Sequence, residues 1–551
     1  MSPNSMSEMN EKKSIDDRNH SCVQSTKLAA DFETAITATG YGKFHILLYL
    51  ALIPVSWASS FDTGNISVIL PAAECDLQLT LIHKGILNAV IYVGMVTSAL
   101  IWGYLADVKG RKSILIYGFM ADGICNVLSG FSQNFTTLVF FKFLSGFIIS
   151  GPYAGTMSYY SEFYGAKDRS RITLIVGFTV TAGCVMNSGL AWLVVPQNWS
   201  IELWDGYFVY NSWRIFLSLC GVPTLIGVFL ISFFPESPKF LMSQGRKEEA
   251  LKVFRQIYRM NTGKPEEDYP INELADEFEM KNFTNDISTR DTIVPAKRTF
   301  KSGLLQMKPI FFKPYIFRLA LILTLQFCSM LALNTIRLWQ PQLFAILQDF
   351  NPIDFNITDH EPAFCEILDA VTYSSAQNAN LTNNIIEATN CSKIVIPESM
   401  YIDSTIVSTA AIFFLFVASM FVTLLGHKNL LYICYTICIL SLISITWSTS
   451  YFLTLGLTCL FVGIMMTTLN IVIGATVLLF PTSLRTMAVS LVMMIGRSGS
   501  LIGNVVFPVL LEYGCIAPIM TIACFPLFGI VLAYFIPNNK NKNEKNVESG
   551  S

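Results

Sequence analysis

Charge is the scarcest thing in this chain. Only 14% of its 551 residues are Asp, Glu, Lys or Arg, where an average soluble domain carries about 25%. Meanwhile 52% are hydrophobic and the mean hydropathy is +0.49, which excludes an ordinary soluble domain and calls for a lipid bilayer as partner. A net charge of −2 gives no electrostatic footprint for nucleic acid, so none is expected as a partner. The chain is polar through about Thr39, with no early apolar stretch, so no cleaved signal peptide is expected and the first hydrophobic helix serves for insertion. Neither G-x-x-x-x-G-K-[ST] nor H-E-x-x-H occurs, which argues against ATP-driven pumping and metal-dependent hydrolysis. No catalytic triad assembles, so no enzyme, cofactor or metal is expected. Cys434 and Cys438 lie four apart on an apolar run, but no His or further Cys completes a ligand set, and they read as packing.

What is present is a succession of apolar runs. A spanning helix needs roughly 17–25 residues. About twelve runs qualify: 44–70, 85–106, 113–132, 136–160, 172–195, 212–234, 315–347, 403–425, 429–447, 452–480, 487–510 and 516–536. Basic residues gather in alternate links: Lys109, Arg111 and Lys112; Lys167, Arg169 and Arg171; Lys428; Arg485; and Lys540, Lys542 and Lys545 in the tail. The opposite links, such as "SQNFTT", "STSY" and "LEYGC", carry almost no Lys or Arg. Excess Lys and Arg mark the cytoplasmic side, so both termini are expected there, in a plasma or vesicle membrane. Asn134, Asn198, Asn356, Asn380 and Asn390 begin N-x-[ST] sequons on the expected outer side, while Asn19 and Asn282 fall on the cytoplasmic side and are expected to be silent.

The break after the sixth run divides the chain. A cytoplasmic segment (1–42) precedes a six-helix half (43–234), a cytoplasmic linker (235–313), a second six-helix half (314–537) with an outer glycosylated loop (348–402), and a tail (538–551). Within the linker, "GRKEEALKVFRQIYRM" puts Leu251, Phe254, Ile257 and Tyr258 on one helical face, as in a helix packed under the bundle. In the outer loop Cys365 and Cys391 share an oxidising compartment and are expected to pair, with Cys75 and Cys515 as other outer cysteines open to pairing. The halves read as repeats: "SEFYGAKDR" has Glu162 seven residues before Arg169, and "VLLFPTSLR" has Leu478 seven before Arg485.

Charges inside apolar runs are costly and mark functional candidates. Asp62 falls late in the first span and Lys142 early in the fourth, so both lie in the outer half. They form either a structural ion pair or part of a binding cavity. Arg337 either faces that cavity or snorkels to the surface. Asp122 and Arg497 fall near mid-span. Arg497 lies ~15 Å deep and requires either an internal acid, Asp122 or Asp62, or an anionic substrate. Gly151–Gly155 and Gly499–Gly503 have G-x-x-x-G spacing for close helix packing.

The link "GYLADVKGRK" supplies Gly103 and Gly110 for a tight turn, with Asp107 and Arg111 placed to hold two helices together. Its full order resembles the signature loop of the major facilitator superfamily. "FDTGNISVILPAAECDLQLT", "FLSGFIISGPYAGTMSYYSEF", "SWRIF" and "PESPKFL" follow that family's order, and the set most resembles the synaptic vesicle glycoprotein 2 branch, related to organic ion transporters. The resemblance implies an all-helical, twelve-span bundle whose cavity is lined by spans 1, 4, 7 and 10. It also implies a cytoplasmic gate built from Gly103, Asp107, Gly110, Arg111, Glu162, Arg169 and Arg485. Arg497, in "GRSGSLIG", resembles the span-11 "ARxG" of organic anion transporters. The second half departs from the pattern: "LLGHKNLL" replaces the signature loop, Leu478 stands for the usual Glu, Ile473 for Asp, and "IPNNK" for "PET". Together these imply a secondary transporter of a small organic ion, an anion by preference, with an unassigned coupling ion. The competing reading is a receptor or vesicle glycoprotein without robust transport.

Overall fold

The computed structural model describes residues 30–166, 168–203, 207–275, 308–313, 315–350, 361–381, 397–480 and 482–536. In a bilayer no water satisfies a bare peptide group, so each apolar run closes its hydrogen bonds as a helix. After a short helix α1 (Phe32–Ala38), the first half consists of α2 (Lys43–Ala73), α3 (Leu81–Lys109), α4 (Arg111–Ser129), α5 (Phe135–Ser161), α6 (Arg169–Val194) and α7 (Ser212–Ser232). A hairpin of β1 (Ser200–Leu203) and β2 (Phe208–Asn211) precedes α7. Helices α8 (Pro238–Ser243) and α9 (Lys247–Thr262) follow. The second half holds α10 (Tyr315–Asp349), α11 (Phe364–Leu381), α12 (Glu398–Thr446), α13 (Tyr451–Leu479), α14 (Thr482–Leu511) and α15 (Ile516–Tyr534).

Eleven helical stretches among the described residues are long and apolar enough to cross a membrane. The twelfth, α4, has 19 residues and carries Arg111, Lys112 and Asp122, which lower its hydropathy below that of its neighbours. The expected eighth and ninth spans are two arms of α12 meeting at Gly426, whose φ of 77° and ψ of 160° break the helix without a loop. The expected outer loop contains a helix, α11, and the hairpin was not legible in the sequence.

Glycines set several crossings. A Cβ on Gly94 would lie 2.3 Å from the Phe143 carbonyl oxygen and one on Gly146 2.1 Å from that of Ile91, so α3 and α5 touch backbone to backbone. Against α10, a Cβ on Gly499 would lie 2.4 Å from the Phe327 carbonyl oxygen and one on Gly503 2.1 Å from the Thr335 side-chain hydroxyl. The main apolar core surrounds Trp339, Tyr401, Tyr435 and Phe461, all fully buried.

The chain divides into two compact units. The smaller contains residues 30–47, 160–170 and 235–275. There α9 buries Ala250, Val253, Phe254 and Ile257, at the helical spacing i, i+3, i+4, i+7, while Leu251 and Tyr258 are only half-buried. The Asn261 amide donates to the Thr39 and Gly40 carbonyls at 3.2 and 2.9 Å and accepts from the Phe44 N–H at 3.1 Å. Glu33 pairs with Arg169 at 2.6 Å and accepts from the Ala166 N–H at 2.8 Å. The Tyr269 hydroxyl donates to the Ala35 carbonyl at 2.7 Å, and burial pushes its phenol above the ordinary range. Burial, then the Tyr160 hydroxyl, pushes up the Tyr164 phenol.

Candidate functional site

In the larger unit, α2, α4 and α5 bring together one buried polar cluster. The Asn126 amide donates to Asp62 Oδ1 at 2.6 Å, and Lys142 Nζ donates to Asn126 Oδ1 at 2.9 Å. Asp62 and Lys142 are therefore joined through an amide, not by the direct pair expected. Ser145 Oγ donates to Asp122 Oδ1 at 3.0 Å, and Asn65 reaches Asn126 at 3.5 Å. Asp122 thus belongs to this cluster and not to Arg497. Asn126 and Ser145 were missed in the sequence, although Asn126 sits one helical turn beyond Asp122 and so on the same face.

Arg497 on α14 is buried, and its Nη1 donates to Ser150 Oγ of α5 at 2.9 Å. That contact links the two halves. No carboxylate lies within ion-pair distance of it among the described residues. Arg337 on α10 reaches Cys184 Sγ at 3.3 Å and Thr63 Oγ1 at 3.4 Å, and its Nε has no partner. It faces inward, so the snorkelling alternative is not what the structure shows. The buried Tyr92 hydroxyl lies close to Arg337 and in the field of Arg497. A polar cavity opens beside Arg337, lined by α2, α6, α10, α12 and α13.

Beyond the cavity, toward the end of the bundle that carries the hairpin, Lys84 pairs with Glu74 at 2.7 Å and Gln342 reaches Glu74 at 3.5 Å. Asn88 donates to the Leu338 carbonyl at 3.5 Å, and Gly85 packs on Asn504 and Pro508. These contacts join the halves there. At the opposite end Gly110 turns the chain from α3 into α4 with φ 92°, whereas Gly103 lies within α3. Arg111 is half-buried at that end, and in the smaller unit Glu162 is buried. Gly103, Asp107 and Arg485 lie on helices whose backbone is described, but their surroundings lie outside the described residues.

The expected Cys365–Cys391 disulfide is replaced by Cys365–Cys515, with Cα atoms 5.2 Å apart. Helix α11 sets Cys365 at its start against the start of α15, where Asp369 Oδ1 accepts the Cys515 N–H at 2.6 Å. Cys391, Asn356 and Asn390, and the side chain of Asn380, lie outside the described residues. Asn134 and Asn198 are exposed, and Asn134 Oδ1 caps α5 by accepting from Thr137 N at 2.9 Å.

Two six-helix halves around a polar cavity, with cations inside the bundle, define a membrane transport protein of the major facilitator class. Residues 32–345 match the family described as "Sugar (and other) transporter", and residues 397–551 match "Major Facilitator Superfamily". The chain belongs to the sugar (and other) transporter family of that superfamily, on the synaptic vesicle glycoprotein 2-like branch. It is 28% identical to synaptic vesicle glycoprotein 2B of Rattus norvegicus over 59% of this chain and 48% of the relative. With synaptic vesicle glycoprotein 2C of Homo sapiens it shares 31% over 45% of this chain and 34% of the relative. The matched part thus spans half or less of these curated relatives. In fold it is similar to the xylose transporter XylE from E. coli in a partially occluded inward open conformation, with a TM-score of 0.61 and 13% identity over 90% of this chain and 100% of that one.

Proposed function

We propose that this protein is a secondary transporter that moves a small organic anion by rocking its two halves about the central cavity. One observation carries the reading: Arg497 is buried in the bundle with a serine, not an acid, as its partner. An arginine at mid-membrane costs at least ~2.5 kcal/mol, and the two acids nearest in depth belong to a separate cluster around Asn126. Arg337 lines the cavity with no carboxylate in ion-pair distance among the described residues, and a planar guanidinium holds a carboxylate through two hydrogen bonds.

Orientation follows from two supports. Lys109, Arg111, Lys112 and Lys428 lie at the Gly110 end, and the Cys365–Cys515 disulfide lies at the other, which needs an oxidising compartment. Both termini are then cytoplasmic, in a plasma or vesicle membrane. The cluster of Asp62, Asp122 and Lys142 contains one acid more than base, and is where a coupling cation would act.

The test compares uptake of an organic anion and an organic cation by proteoliposomes containing wild type or Arg497→Lys at equal protein density. Selective loss of anion uptake in the variant is expected. Equal loss of both assigns Arg497 to the scaffold, and cation uptake alone overturns the reading.

A further inference from the structure

We propose that the cavity beside Arg337 selects a polyhydroxylated carboxylate, an anion whose skeleton carries several hydroxyl groups. The proposal rests on the anion reading and narrows it. Its basis is the direction in which the lining groups offer their hydrogen bonds. A hydroxyl has one proton to donate and two lone pairs to accept with. Ser60 Oγ donates its proton to the Val180 carbonyl at 2.7 Å, and Ser67 Oγ to that of Gly64 at 2.7 Å. Thr181 Oγ1 donates to the Gly177 carbonyl at 2.9 Å, and Ser404 Oγ to that of Met400 at 3.0 Å. Their protons are committed to backbone, so Ser60, Ser67 and Thr181 meet a ligand as acceptors, and so does Ser404 through the lone pair left beside the Gln340 Nε2 donor at 3.5 Å. Asn187 Oδ1 adds another: the side chain is 3% exposed and this oxygen has no partner.

Against these acceptors stands one charged lining residue, Arg337, which only donates. The complementary ligand therefore carries one anionic group and several O–H donors. A neutral sugar would satisfy the acceptors but leave Arg337 without a counter-charge. An aliphatic anion would satisfy Arg337 but bury the oxygens against CH₂ groups, leaving them unpaired, which is the stronger form of discrimination.

The experiment measures uptake of labelled glucuronate, hexane-1-sulfonate, glucose and tetraethylammonium by proteoliposomes of the full chain, above empty liposomes. The expected result is saturable glucuronate uptake at least tenfold faster than that of the other three, lost in Arg337→Gln. Asn187→Leu, and separately Ser404→Ala, should narrow the glucuronate-to-sulfonate ratio by roughly fivefold to tenfold per lost acceptor. Two variants are used so that a folding defect in one, detected by size-exclusion chromatography, leaves the other to decide. Hexane-1-sulfonate taken up as fast as glucuronate overturns the hydroxyl inference and leaves the anion reading standing. Preference for glucose or tetraethylammonium, or no saturable uptake of any of the four, overturns both.

Discussion

Gly110 and Gly426 turn the backbone in the same way, with φ 92° and ψ 159° at one and φ 77° and ψ 160° at the other. Two residues after each stands a lysine with the same task. Lys112 Nζ donates to the Ser232 carbonyl at 3.0 Å, and Lys428 Nζ to the Tyr534 carbonyl at 2.6 Å. Ser232 ends α7 and Tyr534 ends α15, so each ammonium meets the negative end of the last helix in its own half. The second half has lost the wording of the signature loop while keeping this turn and bond.

That equivalence makes Gly426 a demanding position. A backbone with positive φ and ψ near 160° is open essentially to glycine alone, and another residue there costs about 1–3 kcal/mol. No atom lies within 4 Å of a Cβ at Gly426, so the cost is backbone strain alone. Gly426→Ala should lower stability by that amount in detergent thermal unfolding, whereas Gly456→Ala, inside α13 with equally open space, should not. Equal behaviour of the two variants would show that the turn tolerates a side chain.

The twelve spans were legible because bilayer length is written directly in residue order, and helical period gave the α9 face in part: Phe254 and Ile257 are buried as expected, while Ala250 and Val253 take the places given to Leu251 and Tyr258. The disulfide was not, because pairing depends on where α11 sets Cys365, and no local pattern marked α11. Asn126 was overlooked because a lone amide in an apolar run carries no charge to flag it, yet it joins Asp62 to Lys142. The directions of the cavity hydroxyls were equally hidden, since Ser and Thr in spanning helices bond backward to carbonyls in a way that composition does not reveal.

Cys365 and Cys515 should be found as one linked peptide pair by mass spectrometry of the unreduced protein. They close 150 residues, and a link of that length is worth up to ~5 kcal/mol in the chain-entropy account. A bilayer already restrains the unfolded chain, so Cys365→Ser should cost less than that limit while still lowering the melting temperature. Recovery of a 365–391 pair instead would refute this assignment.

Asn261 holds the segment before α2. Asn261→Ala leaves the Thr39 and Gly40 carbonyls and the Phe44 N–H without this partner, and unmet buried groups cost about 1–3 kcal/mol. Hydrogen exchange over residues 32–44 should quicken by roughly tenfold to a hundredfold, with α9 itself little changed. Unaltered exchange in the segment would show that Glu33 with Arg169 and Tyr269 with Ala35 suffice to hold it.

The buried cluster allows scaffold and coupling roles to be separated by removing charges singly and together. Lys142→Met leaves Asp62 and Asp122 buried around Asn126 without their cation, and breaking one partner from a buried ionic group costs about 3–5 kcal/mol. Asp62→Leu alone takes the Asn126 acceptor away and leaves Lys142 with Asp122 as its remaining counter-charge, and should be destabilising to a smaller extent. Replacing buried ionic partners together by apolar side chains is often neutral or better, so Asp62→Leu/Lys142→Met should recover much of the lost stability. The informative measurement is then uptake driven by an imposed ion gradient. A purely structural cluster predicts that the double variant, once stable, transports at the wild-type rate and responds to the gradient. A coupling cluster predicts that it folds, still exchanges substrate across the membrane, and no longer accumulates it against a gradient. We expect the second outcome, because a set of groups retained only for stability would gain nothing from burying one more acid than base; gradient-driven accumulation by the double variant would overturn it.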